Sequence, residues 1–284
     1  MSDPRVLVTG ANGQLAYHIV HTFADHAVTA VDRATLDIGN PDAVARAVDA
    51  IAPDLIINCA AFNNVDGAED RPLDALAANA FGVRSLARGA QRHGATLVHY
   101  STDFVFDGRA SEPYLEDAQT SPQSTYAASK LLGEWLALEA PRALVLRVES
   151  LFGSPAGWVG RRGTVDAILD GLRAGREIPV LTDRVVSPSY SPDVAAATRH
   201  LLECRAPSGV YHAVNAGHTT WEQFALYIAG LLGVTPTLKR LTTDQLTLRA
   251  ARPRYCALAA PKLAAQGFTM PSWQDAVERW LGLR

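Results

Sequence analysis

Cysteine is scarce: Cys59, Cys204 and Cys256 are the three in 284 residues. Their odd number and wide spacing exclude a disulfide framework and a zinc-ligand pattern. The expectation is buried thiols in a reducing compartment. A dominant charge of either sign is also lacking. The 26 Lys and Arg against 29 Asp and Glu leave a net charge of -3, which offers no basic footprint for nucleic acid. No apolar run approaches the roughly 20 residues needed to span a bilayer. Met1-Ser2-Asp3-Pro4-Arg5 runs straight into a strand pattern, so no signal peptide is visible. Internal repeats and low-complexity tracts are missing. These absences point to a cytoplasmic protein with neither nucleic acid nor membrane as partner.

What is present is alternation of element types. Hydrophobic residues make up 48%, ordinary for a globular chain. The length suits one large α/β domain with a smaller appended part. Continuous apolar runs at residues 5–9, 28–32, 55–61, 96–102 and 143–150 read as buried strands. Between them lie helical spacings. Leu15, Ile19 and Phe23 mark residues 14–26. Asn40-Pro41 opens a second helix, with Val44, Val48 and Ile51 on one face. A third covers residues 72–93 and stops at Gly94, and a fourth covers residues 125–140. Strands without polar alternation, separated by helices, predict a doubly wound parallel sheet over residues 1–150. Ligands of such sheets bind at the C-terminal strand ends.

After Gly153 the pattern loosens, with Gly157, Gly160 and Gly163 marking a loop. Short helices are predicted at residues 164–174, 192–204, 221–232 and 272–281, and a strand at 209–215. Thr220 and Gln223 have capping-box spacing. Residues 151–284 therefore read as a smaller mixed α/β substrate-binding part, with some segments free to return to the main sheet.

Gly10-Ala11-Asn12-Gly13-Gln14-Leu15-Ala16 lies between the first strand and the first helix. Gly10 permits a tight turn, and Gly13 removes a Cβ where a pyrophosphate approaches the backbone. The helix start then offers free N–H groups and a positive dipole end. Ala16 is small enough for close helix–strand packing. Asp32 stands about 20 residues further on, where a carboxylate bonds the ribose hydroxyls of NAD. Arg33 beside it suits the 2′-phosphate of NADP, or is simply a solvated charge. The two signals conflict, and the balance tips to NADH over NADPH.

Tyr126 and Lys130 sit four apart, which on a helix puts both on one face. A phenol titrates near pH ~10 and is a poor acid at neutrality. A nearby ammonium lowers that value, so the phenol can protonate a carbonyl oxygen as hydride arrives at carbon. The preceding strand ends in His99-Tyr100-Ser101-Thr102-Asp103-Phe104-Val105-Phe106-Asp107-Gly108. Thr102 can donate to the same oxygen, with Ser101 as its rival.

These segments together resemble the extended short-chain dehydrogenase/reductases, and within them the dTDP-4-dehydrorhamnose reductase family. Val8-Thr9-Gly10-Ala11-Asn12-Gly13-Gln14-Leu15 resembles the family's dinucleotide loop, and Asp37-Ile38 its segment near the adenine. Asn58 to Glu69 is similar to its most distinctive motif. Arg252 to Leu258 and Pro271 to Ala276 resemble its late motifs, so the resemblance covers nearly the whole chain. It implies reduction of a nucleotide-linked 4-keto-6-deoxysugar at C4 by NADH or NADPH, dTDP-4-dehydrorhamnose first among the substrates. Thr102, Tyr126 and Lys130 would be catalytic. Asn12, Gln14, Leu15, Asp37, Ile38, Cys59, Ala60, Ala61 and Asn63 would line the cofactor, together with Asn79 in the helix that commonly carries an active-site Asn. Val65, Ser101, Phe104, Glu149 and Ser150 would meet the sugar.

Arg147-Val148-Glu149-Ser150-Leu151-Phe152-Gly153 departs from the family pattern. Ser150 replaces a tryptophan that commonly packs on the sugar, and Glu149 adds a carboxylate. The loss of an aromatic platform changes ring placement and favours a sister reductase of another deoxysugar. An acidic ligand that some members use for magnesium at a dimer contact is missing near Pro192, so no metal is expected; a homodimer stays open. Asp193 reads as a helix first-turn charge. A non-catalytic regulatory subunit is the third reading, and the complete Thr102/Tyr126/Lys130 set weighs against it.

Other residues read more plainly. His93 before Gly94 suits a helix end. Trp158, Trp221, Trp273 and Trp280 read as core or interface. Arg184 and Arg254 are each either a clamp for a diphosphate or a surface charge.

Overall fold

The computed structural model describes residues 3–155, 157–160 and 162–283. In chain order the first half runs β1 (Arg5–Thr9), α1 (Gln14–Thr22), β2 (Ala27–Val31), α2 (Pro41–Ile51), β3 (Leu55–Asn58), α3 (Val65–Asp70), α4 (Pro72–Leu76), a π-helical turn at Ala77–Phe81, α5 (Gly82–His93), β4 (Thr96–Thr102), α6 (Thr125–Ala137) and β5 (Arg142–Val148). Five of these strands and β8 below form one six-stranded sheet in the order β2-β1-β3-β4-β5-β8, with every pairing parallel.

The layers follow from strand geometry, since successive side chains point to opposite faces. Val6 and Val8 of β1 join Ala16 and Ile19 of α1 in one core. Leu7 between them joins Val44 and Val48 of α2 and Val83 and Leu86 of α5 in the other. The strands β1, β3, β4 and β5 are buried along both faces. The edge strand β2 is not: of its residues Val31 alone is buried.

The second half runs α7 (Thr164–Arg173), β6 (Ile178–Leu181), β7 (Val185–Val186), α8 (Ser191–Glu203), β8 (Gly209–His212), β9 (Thr219–Thr220), α9 (Trp221–Leu232), β10 (Leu238–Leu241), α10 (Pro261–Ala265) and α11 (Trp273–Trp280). It divides in space. β8 extends the main sheet beside β5, and Val194, Ala197 and Leu201 of α8 pack with α1 in the first core. Leu263 of α10 also joins that first core, and most of the rest forms a lobe with its own core around Phe152, Ile168, Ile178, Phe224 and Trp273.

Several expected elements are shorter. The first helix stops at Thr22, the fourth at Ala137, and the late strand at His212. The strand expected over 55–61 stops at Asn58, whose Oδ1 accepts from Thr9 Oγ1 at 2.6 Å and from Ala60 N at 3.2 Å. The helix expected over 72–93 is helical throughout but carries the π turn in its middle. The strands β6, β7, β9 and β10 and the helix α3 were not anticipated; none exceeds six residues, too few to show a period.

Candidate active site

The strand order reverses between β1 and β3, and the crevice opens there. Gly10 has φ +72°, and a Cβ on it would lie 2.7–2.8 Å from backbone atoms of Cys59 and Ala60. Its lack of a side chain lets the exits of β1 and β3 pass each other. Gly13 then caps α1 without any side-chain bond, and the first turn holds no acidic residue. Elsewhere Asn40, Ser124, Thr220 and Ser272 cap helices through their side chains. The open N–H groups of α1 suit an anion. Gln14 Nε2 is buried without a partner in the same wall. These features fit a dinucleotide diphosphate.

Two basins meet along this crevice. One, of about 490 Å³, is walled by Gly10, Asn12, Asp32, Arg33, Asp37 and Ile38 among others. The second, of about 440 Å³, holds Gln14, Leu15, Thr102, Tyr126, Lys130 and Ser150. Gly13, Cys59, Ala60, Ala61 and Asn63 border both, so the basins adjoin along a common wall. Asp32 accepts from Thr35 N, Thr35 Oγ1 and Asn12 Nδ2, each at 2.9 Å. The Thr35 bonds first, and then Asn12, hold its carboxyl below the ordinary carboxylate value. Arg33 is largely exposed and lies 3.4 Å from Asp37.

In the second basin α6 delivers Tyr126 and Lys130. Ser124 starts that helix by accepting from Ala127 N at 3.3 Å, and Glu69 of α3 receives bonds from both Thr125 N and Thr125 Oγ1 at 2.8 Å. Tyr126 stands edge-on to Phe104, with ring centroids 5.8 Å apart. Lys130 Nζ donates to Tyr100 O at 2.5 Å. Burial lowers the Lys130 ammonium to about 8, although Glu134 works against the shift. Thr102 Oγ1 contacts Asp103 Oδ1 at 2.9 Å and accepts from Phe104 N at 3.3 Å.

Ser101, the rival to Thr102, is committed elsewhere. Its hydroxyl donates to Glu134 Oε1 at 2.6 Å, and Arg147 makes a bidentate pair with Glu134 at 2.8 Å for each bond. This buried network ties β4, α6 and β5 together one turn beyond Lys130. Ser150 lies in the wall with φ +44°, a strained setting for a residue with a side chain.

Val65, Phe104 and Arg184 also line the second basin. Arg184 is mostly buried, its guanidinium 5.0 Å above the Phe104 ring. Two expected site residues do not line either basin. Asn79 is fully buried, bonding Phe62 N at 2.7 Å, Phe62 O at 3.1 Å and Ser129 Oγ at 3.0 Å. It braces the wall from behind, because all its polar atoms are used within the protein. Glu149 is buried behind Ser150, and its Oε2 accepts from Ser187 N at 2.6 Å. Arg254 is a surface charge paired with Asp244 and Asp183. The cysteine expectation also needs correction. Cys256 is buried, Cys59 is half-buried in the wall and Cys204 is exposed.

Asp103, Arg162, Trp221 and Arg252 line the second basin and were not singled out as site residues. Trp221 is both core and wall. Arg252 had a sequence signal, since it opens the late motif noted above. It pairs with Asp66 at 2.9 Å, a contact between residues 186 apart in the chain. His93 contacts Asp49 at 2.9 Å, and Asp193 pairs with Arg279 at 2.7 Å, so both hold structure together.

A doubly wound sheet with an open phosphate-binding helix, and Tyr126 and Lys130 one helical turn apart at the cleft, defines a short-chain dehydrogenase/reductase. The chain matches the family described as RmlD substrate binding domain over residues 4–283, and it belongs to that family. It is 36% identical over 285 residues to dTDP-4-dehydrorhamnose reductase of Streptomyces griseus, covering 96% of this chain and 92% of the relative. It is also 36% identical to a probable dTDP-4,6-dihydroxy-2-methyloxan-3-one 4-ketoreductase of Streptomyces antibioticus, covering 96% and 93%. The crystal structure of dTDP-4-dehydrorhamnose reductase from Bacillus anthracis in complex with NADP superposes with a TM-score of 0.91, at 32% identity and full coverage of both chains.

Proposed function

We propose that this protein reduces the C4 ketone of a dTDP-linked 4-keto-6-deoxysugar, with dTDP-4-dehydrorhamnose as substrate and dTDP-L-rhamnose as product. The observation that carries this reading is the shared wall. Thr102, Tyr126 and Lys130 line one basin, and that basin adjoins the one bounded by Gly10, Asn12 and Asp32. When bound, a nicotinamide cofactor supplies the hydride. Tyr126 gives its phenolic proton to the carbonyl oxygen, and Thr102 donates a hydrogen bond to the same atom. Lys130 holds positive charge beside the phenol and makes it a stronger acid. Arg184 and Arg252 place guanidinium N–H donors in the wall for a diphosphate, each partly offset by a carboxylate neighbour.

Asp32 favours NADH, but its carboxylate is already engaged by Asn12 and Thr35. Arg33 is exposed and held only by a 3.4 Å surface pair with Asp37, so its turning toward a 2′-phosphate would let the basin admit NADPH as well. The Bacillus anthracis relative carries NADP, and the ratio of kcat/KM for the two cofactors decides the preference. A second reading, reduction of a different dTDP-deoxysugar, rests on Ser150 in the wall and on the Streptomyces antibioticus relative.

The test is cofactor oxidation with dTDP-4-dehydrorhamnose made in situ. Consumption of NADH or NADPH that disappears in Tyr126→Phe supports the proposal. No oxidation above the Tyr126→Phe background would sink it. Turnover of another member of a nucleotide-sugar panel would move the assignment to the second reading.

A further inference from the structure

Behind Thr102 and Ser150 lies a buried group that the proposed chemistry does not use directly. One oxygen each of Asp103 and Glu149 and the Cys256 sulfur lie within 4.8 Å of one another. Asp103 Oδ2 and Glu149 Oε1 are buried without hydrogen-bond partners. Among the described residues, Arg184 is the one cation within 4.0 Å of either carboxylate. Its Nη2 also lies 3.7 Å from Cys256 Sγ. Further out, Arg252 is paired with Asp66.

Repulsion between two buried carboxylates with oxygens within 4.8 Å of each other favours retention of one proton by the pair. With one arginine beside them, a single retained proton makes the group neutral. Its position matters because of the bonds at Thr102. A hydroxyl has one donor and two acceptor lone pairs. Phe104 N already occupies one lone pair of Thr102 Oγ1. If Asp103 is ionised, Thr102 must give it its proton, and one lone pair remains for the substrate. A ketone oxygen cannot use that. If Asp103 is protonated, it donates to Thr102 across the same 2.9 Å contact. Both lone pairs are then filled, and the Thr102 hydroxyl proton is free for the ketone.

We propose that the Asp103–Glu149 pair keeps one proton, that it rests on Asp103 Oδ1 while Glu149 carries the negative charge, and that it turns Thr102 into a hydrogen-bond donor toward the substrate carbonyl. Glu149 is thus a positioning residue acting through Asp103. No bond to substrate forms or breaks in this step; the proton stays within the pair while the Thr102 hydroxyl rotates. Burial and the neighbouring Asp103 push the Glu149 carboxyl well up, and burial raises Asp103, which agrees with a retained proton. The inference rests on Thr102 facing a ketone, but its first test needs no substrate.

Infrared spectra of the protein alone at neutral pH should show the C=O stretch of a protonated carboxyl, moved by D2O and lost in Glu149→Gln. Gln keeps the acceptor for Ser187 N and leaves Asp103 alone with Arg184, hence ionised. No such band in the wild type, or an unchanged band in Glu149→Gln, overturns the proposal whatever the enzyme's substrate. In turnover, Glu149→Gln should lower kcat by about tenfold or more at neutral pH, leave KM nearly unchanged and recover toward acid pH as Asp103 regains a proton. An equal loss at every pH would mark a merely structural role and refute it. Asp103→Asn supplies a permanent donor to Thr102, so its loss of kcat should be clearly smaller than that of Thr102→Val; an equal loss contradicts the proposal.

Discussion

Replacing Gly133 by Ala sets two effects of known size against each other. Gly133 is buried in α6, three residues past Lys130. Helix propensity alone predicts that Ala is better there by about 1 kcal/mol. Packing predicts the opposite. A Cβ at this position would stand 2.1 Å from the carbonyl oxygen of Asn79, in the π turn, and 3.3 Å from His99 Nε2. Carbon–oxygen contacts settle near ~3.3 Å or beyond, so α6 and the π turn must part by roughly 1 Å. The obstacle is backbone within a packed element, which places the cost near the top of the ~1–3 kcal/mol range for overpacking. The net expectation is destabilisation by about 1–2 kcal/mol, or a Tm lower by roughly 2–3 °C for a chain of this size. The same shift moves Tyr126 and Lys130 relative to β4, and a ~1 Å misplacement of catalytic groups costs on the order of 100-fold in rate. Thermal unfolding and kcat at saturating cofactor measure both. A Gly133→Ala protein with a raised Tm and unchanged kcat would refute the argument, because propensity would then outweigh the contact.

Gly10→Ala places a Cβ against Ala60 at a left-handed backbone angle; strain of ~1–3 kcal/mol at the loop should weaken NADPH binding about tenfold, and an unaltered Kd by fluorescence titration contradicts that. Glu134→Leu strips Arg147 of its bidentate partner while both are buried; the expected loss is about 3–5 kcal/mol in urea denaturation, and a loss under ~1 kcal/mol shows that Arg147 finds water or another acceptor. Lys130 gives a pH signature. Its folded value, about 8, is below its value in the unfolded chain. Above about pH 8 the folded protein has released a proton that the unfolded chain keeps until about pH 10. This group therefore adds stability as pH rises through that window, and its burial penalty is felt in full below it. Lys130→Met should flatten that rise relative to wild type, and parallel curves for the two proteins would reject the assignment. In the assay for ketone reduction, kcat should fall above about pH 8 as the ammonium beside the phenol is lost, and a flat profile to pH ~10 disagrees.

The N-terminal half was legible largely because central strands such as β1 carry a continuous apolar run. Val6, Leu7 and Val8 are covered on both faces by helices, so burial leaves a local trace that can be read without coordinates. The loop from Gly10 to Leu15 and the Tyr126/Lys130 spacing are local too, since one turn of helix sets both. Short elements left no such trace. β7 is two residues long and exists because β9 pairs with it.

The chain by itself determined the doubly wound sheet, the glycine loop at its crevice and the spacing of Tyr126 and Lys130. Tertiary structure decided which polar residues reach the cleft. Asn79 and Glu149 looked like site residues and lie behind the wall, while Asp103, Trp221 and Arg252 form part of it. Orientation of that kind depends on contacts between distant segments, such as Arg252 with Asp66 and Glu149 with Ser187. The physical reason is one of range. Backbone periodicity and helix spacing act over a few residues, whereas the hydrogen bonds that point a buried carboxylate toward or away from a cleft are made only after the layers have packed.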